Sequence, residues 1–285
     1  MATLLASQPE TAPWLGVLSA VLEEAADDPP GGPWDAVAAA TTLQPERSPG
    51  TPLLAGARIP IDARLADRWV RRVLALAAEA GLHAIGLRAA AGDDPSVTPL
   101  ETRAFLEAAV NADGGRLEAL ARSLDIDPHA LAAVAALAVV PLLQALRRRF
   151  GPAVDPRWHE GWCPICGGWP HLAEQRGLER TRRLRCARCG GDWVQPGIRC
   201  PYCGAIGHES RAALVSEQDG EARKIETCSV CRGYLKSIST LLAWAGDEVA
   251  LIDLATVDLD LVALEREFER HQPRRLEPPA RLDSA

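Results

Sequence analysis

The sequence predicts an α+β protein, in which a helical N-terminal domain precedes two four-cysteine metal modules and a C-terminal helix. Three observations lead to this prediction. Helical spacing of apolar residues dominates the chain up to Gly151. All eight cysteines lie between Cys163 and Cys231, and they form four C-x2-C pairs. We place the domain boundaries at residues 1–156 for the helices, 157–197 for the first module and 198–285 for the second module with its helix.

The helical domain is predicted from caps and spacing. A first amphipathic segment, WLGVLSAVLEEAADD, ends at a Pro/Gly-rich stretch, and the chain from Pro29 to about Pro60 is expected to wind over the surface. A second helix runs from the N-cap Asp62 to the closing Gly81. Two shorter helices follow, in TPLETRAFLEAAV and DGGRLEALARSL.

The last helix of this domain begins at the Asp127 cap and ends at Gly151. It is apolar nearly all round, which predicts a place at the centre of the domain, and Pro141 is expected to kink it. Its apolar run, Ala130 to Leu143, is shorter than the roughly 20 residues that a membrane span needs. We therefore expect a buried core helix.

Composition is that of a soluble globular protein, with 47% hydrophobic and 24% charged residues among 285. The net charge is −7, but the window from Arg157 to Lys236 has 13 Lys/Arg and 9 Asp/Glu, so it carries +4 and the remainder −11. No signal peptide is recognisable at the N-terminus. A cytoplasmic location is the expectation, and cysteines there are metal ligands more often than disulfides.

The cysteine spacing predicts two four-thiolate sites. A C-x2-C turn directs two sulfurs at one ion, and two such turns complete a tetrahedron. The pairing C-x2-C-x19-C-x2-C joins the first two pairs, and C-x2-C-x24-C-x2-C joins the last two. Site 1 is then Cys163, Cys166, Cys186 and Cys189, and site 2 is Cys200, Cys203, Cys228 and Cys231.

The sequence between the pairs supports this assignment. Gly177 separates two alternating stretches in the first module, and Asp219-Gly220 gives a hairpin-turn signal in the second. Each module therefore reads as a C-x2-C turn, a strand, a turn, a strand and a C-x2-C turn, as in a zinc ribbon or a rubredoxin. Pairing the two inner C-x2-C turns would leave both hairpins outside any metal loop.

Glycine follows the second cysteine in three of the four turns, as Gly167, Gly190 and Gly204, and Arg232 takes that place in the fourth. A positive φ at this position turns backbone N–H groups toward the sulfurs. The Arg232 exception is expected either to relax the fourth turn or to add a cation beside its sulfurs.

Two other chemistries compete for these cysteines. A thioredoxin-like redox dithiol uses one C-x2-C pair at a helix N-terminus, and four pairs at ribbon spacing argue against it. Iron is the second alternative, because four thiolates suit iron as well as zinc. The spacing leaves iron and zinc both open, and it lacks the C-x2-C-x2-C run common in [4Fe–4S] proteins.

Outside the cysteines, three groups of residues are candidates for function. Arginines interleaved with Trp158, Trp162, Trp169 and Trp193 are compatible with nucleic-acid binding, or with plain packing of small cores. His159, His171 and His208 lie near the cysteine turns, where surface roles are expected. Asp253, Asp258 and Asp260 in DLATVDLD form an acidic face, or a helix cap with solvated positions, in a final helix that ends near Pro273.

The second half of the chain resembles the formate dehydrogenase accessory proteins, the FdhE family. The motifs that carry the resemblance are WCPICGGWP, RRLRC, RCPYCG and CSVCRGYLK at the four cysteine pairs, followed by DLATVDLD. It covers Arg157 to Leu261 clearly and the helices only in general character. Ile252 departs from the family's pattern, in which a further aspartate is expected, so the role of the acidic motif stays open.

The resemblance implies a cytoplasmic maturation protein that is not an enzyme and has no catalytic residues. Its partner would be the catalytic subunit of formate dehydrogenase, bound before export, with two iron or zinc ions per chain and no membrane insertion. The partner-binding surface is then expected at Arg180, Arg182, Arg183, Arg185 and Arg188. A zinc-ribbon protein that binds nucleic acid or acts in transcription is the alternative, and a dithiol oxidoreductase is a third.

Overall fold

The computed structural model describes residues 12–26, 32–81, 84–93, 100–216 and 220–285. Its contacts divide the chain into two compact units. The helical unit consists of the described residues up to Arg47 together with Leu53–Phe150 and Arg275–Ala285. The cysteine unit consists of Ser48–Pro52 and Gly151–Arg274.

The helical unit contains eight α-helices within its described residues. They are α1 (Ala12–Ala26), α2 (Pro33–Ala40), α3 (Ala63–Glu79), α4 (Ala84–Arg88), α5 (Thr102–Val110), α6 (Gly114–Ser123), α7 (Pro128–Ala138) and α8 (Val140–Phe150). The side chains of Asp62, Asp113 and Asp127 each accept a hydrogen bond from the backbone N–H three residues ahead. These N-caps satisfy donors that the first helical turn leaves free, and they confirm the predicted starts of α3, α6 and α7.

The pair α7 and α8 lies at the centre of the helical unit, as predicted, with Leu131, Leu142 and Leu143 completely buried. The helix is interrupted at Val139, so that α7 and α8 are two separate helices. Pro141 has no N–H to donate to the Leu137 carbonyl, and this missing bond accounts for the interruption. By length and composition Pro128–Ala153 is the one stretch of the described residues apolar enough to cross a membrane, but 72% of its apolar window is buried inside the protein.

The segment between Pro29 and Pro60 is only in part the surface stretch that its composition predicts, because residues 44–49 are exposed and other parts are buried. Within its described residues, Trp34 of α2 is 1% exposed, and Leu53 to Ala55 are also buried. Trp34 packs edge-on against Trp69 of α3, and the Trp69 indole donates to the Ala138 carbonyl of α7 at 2.7 Å.

Strand β1 (Arg58–Ile61) pairs in parallel with the final strand of the chain, β8 (Arg281–Ser284). Asn111 fixes the approach to β8, because its buried amide donates to the Ala280 carbonyl and accepts from the Ala280 N–H. The last eleven residues therefore belong to the helical unit, whereas the predicted boundaries assign them to the second module. Strand β8 has only four residues, and so short a pattern of exposed and buried side chains is not enough to predict a strand from sequence.

The cysteine unit contains a six-stranded sheet with the order β4-β3-β2-β7-β6-β5. Its strands are β2 (Leu172–Arg176), β3 (Thr181–Arg185), β4 (Asp192–Trp193), β5 (Arg211–Ser216), β6 (Gly220–Cys228) and β7 (Tyr234–Thr240). The neighbours are antiparallel except for β2 and β7, which are parallel. This one parallel pair joins two hairpin modules into a single sheet.

Each module has the predicted order of cysteine turn, strand, turn, strand and cysteine turn. Gly177 takes a positive φ of 69° in the first hairpin. Asp219, in the turn predicted for the second hairpin, lies outside the described residues, and Gly220 there begins β6. In each module a third strand follows the second cysteine turn, β4 in the first and the longer β7 in the second. The α+β fold with two zinc-ribbon-like modules is confirmed.

The predicted C-terminal helix is two helices, α9 (Glu248–Ala255) and α10 (Val257–Glu265). They meet at Thr256, whose hydroxyl donates to the Ile252 carbonyl. The chain leaves α10 before Pro273, so the prediction of one helix ending there is wrong. Helix α10 covers one face of the second module through a cluster of Ile225, Tyr234, Leu259 and Ala263.

Close packing between the two modules predicts a sensitive glycine at residue 161. A Cβ atom added there would lie 1.8 Å from the Pro201 carbonyl oxygen. We expect Gly161→Ala to lower the free energy of unfolding by about 1–3 kcal/mol, as overpacking does. Thermal unfolding followed by circular dichroism measures this effect. Gly151→Ala is the matched control, since its Cβ meets nothing within 4 Å, and equal melting temperatures of the two variants would contradict the packing argument.

Candidate metal centres

The structure brings together the two sets of four cysteines that the spacing predicts. In each set the sulfur atoms all lie within 4.8 Å of one another. In site 1, Cys163 Sγ lies 3.5 Å from Cys189 Sγ, and Cys166 Sγ lies 3.6 Å from Cys186 Sγ. In site 2 the corresponding distances, Cys200 to Cys231 and Cys203 to Cys228, are both 3.8 Å.

These distances suit a tetrahedral ion. A metal–sulfur bond of about 2.3 Å in a tetrahedron places the sulfurs about 3.8 Å apart. No cysteine of either site forms a disulfide. The donor sets can therefore hold one zinc or iron ion each, and the distances do not distinguish the two metals.

All four cysteine turns share one backbone arrangement. The N–H of the first cysteine donates to the carbonyl five residues ahead, from Cys163 to Gly168, Cys186 to Gly191, Cys200 to Ala205 and Cys228 to Gly233. The residue after the second cysteine has a positive φ in every turn, at Gly167, Gly190, Gly204 and Arg232. The predicted left-handed position is thus confirmed even where glycine is absent.

Arg232 keeps the turn geometry, and its guanidinium contacts the end of α10. Its guanidinium donates to the Arg266 and Glu267 carbonyls just after α10 and lies over the Phe268 ring, 4.3 Å from the centroid. The fourth turn is therefore not relaxed, and the hydrogen bonds of the guanidinium go to backbone carbonyls at the end of α10. The side chain ties the fourth cysteine turn to the end of α10.

The two sites differ in their exposure. All four cysteines of site 1 are buried, whereas in site 2 Cys203 is exposed and Cys231 half-buried. Gly191 packs against site 1, since a Cβ there would lie 2.8 Å from Cys163 Sγ. Site 1 is thus enclosed by protein, and site 2 has one cysteine at the surface and one half-buried.

This packing shifts the pKa values of the cysteine thiols. Burial raises the pKa of the Cys163 thiol well above its usual value, and hydrogen bonds from neighbouring thiols lower that of Cys186. At Cys228 burial acts to raise the pKa, but backbone N–H groups of Cys231 and Val230 outweigh it and lower the pKa to about 7. Because thiolates are the ligands, binding of a metal ion must release the protons of the thiols.

A row of aromatic side chains lies between the two sites. Trp162, Trp169, Tyr202 and His271 follow one another with ring centroids 6.3, 5.5 and 4.5 Å apart. His271 Nε2 lies 3.4 Å from Cys231 Sγ, which makes it a hydrogen-bond partner of a site 2 sulfur. Sequence reasoning singled out His159, His171 and His208 instead. His271 is forty residues beyond Cys231, and no local signal connects them.

The tryptophans near site 1 serve packing and backbone bonding. The indole N–H groups of Trp158, Trp162 and Trp193 donate to the carbonyls of Trp162, Gly50 and Glu160. The Arg274 guanidinium lies over the Trp162 ring. The packing role, rather than base stacking, accounts for these three residues.

The five arginines predicted as one partner-binding surface are separated. Arg180 is exposed, but Arg185 is buried, with its guanidinium against Glu174 and the Trp244 carbonyl. Arg182 pairs with Glu226 and Arg183 with Asp192, and Arg188 is half-buried. Because strand residues alternate between the two faces of a sheet, the five do not form one exposed face, and the prediction is wrong for Arg185.

The acidic motif forms a buried charge network. The Lys236 ammonium, completely buried, lies 2.6 Å from Asp253 and 2.8 Å from Asp260, and Arg270 contacts the same two carboxylates. The Tyr234 hydroxyl donates to Asp260 at 2.7 Å. Asp258 pairs separately with Arg223. The expectation of solvated positions is therefore wrong for Asp253 and Asp260, which are about 15% exposed.

This network predicts a large cost for removing its lysine. Lys236→Met leaves two carboxylates with only Arg270, and breaking a buried ion pair in this way costs about 3–5 kcal/mol of unfolding free energy. Urea denaturation measures it. The exposed pair of Arg157 and Asp155 supplies the control, because Arg157→Met should leave the denaturation midpoint unchanged.

The same network predicts a pH dependence. Burial acts to raise the pKa of Asp253, but the charges of Arg270 and Lys236 outweigh it and hold the pKa below its usual 3.8. A lowered pKa stabilises the fold above about pH 3.8, and this stabilisation is lost as the pH falls further. The urea midpoint of the unaltered chain should drop below pH 3.8 more than that of Asp253→Asn, and parallel pH profiles would contradict this account.

Comparison with known proteins finds similarity to FdhE proteins. The family model described as "FdhE, C-terminal domain" matches residues 198–276, which hold site 2 and the Lys236 network. A crystal structure of the FdhE protein from Pseudomonas aeruginosa is similar at 23% identity and a TM-score of 0.46, over 93% of this chain and 95% of that one.

Two curated relatives are similar over a shorter stretch. A protein FdhE homolog of Aquifex aeolicus (strain VF5) is 34% identical over 116 residues, and one of Stutzerimonas stutzeri (strain A1501) is 33% identical over 120 residues. These matches span 39% and 41% of this chain, and 40% and 38% of the relatives. The chain is thus similar to FdhE proteins over residues 198–276, and it spans about two fifths of the length of the curated relatives that it matches.

Proposed function

We propose that this chain is a cytoplasmic accessory protein for the maturation of formate dehydrogenase, and that it binds the catalytic subunit of that enzyme before export. The observation that carries the proposal is the FdhE C-terminal domain match over residues 198–276. Those residues hold the more exposed of the two cysteine sites together with the Lys236 network. The role is one of binding and presentation rather than catalysis.

Two metal ions, iron or zinc, complete the cysteine unit in this proposal. Each module presents only a few strands and a small apolar cluster, so the ions are needed for its folding. Site 1, enclosed by protein, serves this structural purpose. Site 2, with Cys203 at the surface, has one edge available to a partner.

The contact surface for the partner lies at the tip of the sheet, which is formed by the loops after β2 and β7 next to Arg180. Three leucines there are largely exposed, Leu178 by 90%, Leu241 by 75% and Leu242 by 81%. The Gly177 N–H donates to the Thr240 carbonyl, which holds the two loops that carry them side by side. Exposed apolar side chains in one place are typical of interaction sites, and Arg180 adds the charge.

Binding of nucleic acid is the alternative function, and the arrangement of the arginines disfavours it. Carboxylates in the sheet already pair with Arg182, Arg183 and Arg185, and three tryptophans are committed to backbone carbonyls. A gel-shift titration with DNA and RNA tests the alternative. Tight binding that weakens steeply with added salt would contradict the accessory role.

Metal analysis of anaerobically purified protein is expected to give two ions per chain. Because the ligands are thiolates, acidification should release the metal as protons compete for sulfur. Iron predicts sulfur-to-metal charge-transfer absorption, and zinc predicts a colourless protein. In the colourless case, a chelator-resistant ion at site 1 and a faster-exchanging ion at site 2 should appear in a dye-based release assay. Equal release rates would contradict the difference in enclosure.

Partner capture tests the function itself. The chain should retain the formate dehydrogenase catalytic subunit in a pull-down, and Cys163→Ser or Cys228→Ser should abolish this because a module loses its ion. Leu178→Asp with Leu241→Asp should weaken capture while leaving the metal content at two. Arg157→Met is the control, because the Arg157 side chain is exposed and lies outside the tip of the sheet. Undiminished capture by the metal-depleted protein would overturn the proposed use of the modules.

A further inference from the structure

His271 reaches site 2 from the segment that follows α10. The Glu269 N–H donates to the Arg232 carbonyl at 2.8 Å, so this segment lies beside the fourth cysteine turn. The His271 ring stacks on Tyr202 of the third turn, with centroids 4.5 Å apart and planes at 23°. Its Nε2 atom lies 3.4 Å from Cys231 Sγ. Contacts with two different cysteine turns therefore hold the imidazole against a sulfur of site 2.

The glycine at residue 233 makes room for this ring. A Cβ atom there would lie 2.6 Å from His271 Nε2 and 2.9 Å from Tyr202 Cδ2. Gly233 does not have the positive φ that favours glycine elsewhere in these turns. The close approach of the imidazole is therefore what requires a residue without a side chain. The fourth turn leaves space for a histidine next to Cys231.

The sulfur of Cys231 needs hydrogen-bond donors once it is a thiolate. At site 2 the first cysteine of each turn accepts hydrogen bonds from two backbone N–H groups that follow it. Cys231, a second cysteine, accepts from the backbone N–H of Gly233, and His271 lies within reach of the same sulfur. A metal-bound thiolate has no proton to donate, so this contact is a hydrogen bond only when Nε2 carries the proton.

We propose that His271 is a positioning residue of site 2, whose Nε2–H donates to the Cys231 thiolate and thereby slows release of the metal ion from this site. The inference rests on the proposed ion at site 2 and not on the formate dehydrogenase role. A hydrogen bond to a charged acceptor is about twice as strong as one between neutral groups. It offsets the charge of the thiolate and fixes its direction, in the more exposed of the two sites.

Release of zinc to a chromophoric chelator tests the role of the N–H group. His271→Phe keeps a ring that can stack on Tyr202 but has no donor. We expect it to release the site 2 ion about tenfold faster, because loss of such a donor weakens metal binding by about that factor or more. His271→Gln keeps an N–H that can reach the sulfur, so its rate should stay close to that of the unaltered chain.

The controls separate this role from metal binding itself. His208→Phe, at an exposed histidine of the same module, should change neither release rate, and the site 1 ion should leave at one rate in every variant. Release from His271→Phe at the unaltered rate, or from His271→Gln as fast as from His271→Phe, would overturn the proposal. Metal analysis that finds no ion at site 2 would overturn the metal proposal as well, whereas two ions with unchanged release rates contradict only the role of His271.

Nitrogen NMR of the imidazoles in the zinc-loaded, unaltered chain shows which ring nitrogen carries the proton. This measurement decides the question if His271→Phe fails to fold. The two nitrogens of a neutral histidine give different signals according to the tautomer, and the His271 signals should show a proton on Nε2. A ring protonated at Nδ1 alone would contradict the proposal, because Nε2 would then have no proton to donate to Cys231.

Discussion

The cysteine unit depends on holding eight sulfur atoms in two groups with neighbouring sulfurs only 3.5 to 3.8 Å apart. Like-charged thiolates at that spacing repel strongly, so the fold needs either protons or a cation between them. All four cysteine turns have a left-handed residue after the second cysteine. At site 2 backbone N–H groups of these turns hydrogen-bond to the sulfurs of Cys200 and Cys228. The hairpins, the joined sheet and the aromatic row are all anchored on these turns.

The features that sequence could predict are those encoded within a few residues. The C-x2-C pairs, the left-handed position after them and the Asp N-caps each depend on local geometry, and each appears where the pattern places it. The hairpins were predictable for the same reason, since Gly177 marks its turn. The backbone at position 232 takes the positive φ that the motif predicts although the residue is arginine rather than glycine, because the surrounding turn fixes the backbone.

The features that sequence could not predict arise from pairing over long distances. The parallel contact between β2 and β7 joins residues more than sixty apart, and β1 with β8 joins residues more than two hundred apart. Asp253 and Asp260 can be buried because they pair with Lys236, and Lys236 lies next to them only when β7 is part of the sheet. Nothing in a run of aspartates indicates whether a lysine will lie beneath it, and His271 beside Cys231 has the same origin.

The return of the final strand to the helical unit has a consequence for biosynthesis. Strand β8 supplies half of the β1–β8 sheet, and it is synthesised after the whole cysteine unit because it follows that unit in the sequence. The cysteine unit is synthesised whole before that sheet can close. Its metal ions can therefore be loaded while the helical unit is still incomplete, and closure of β8 comes after the step at which the cysteines first become available.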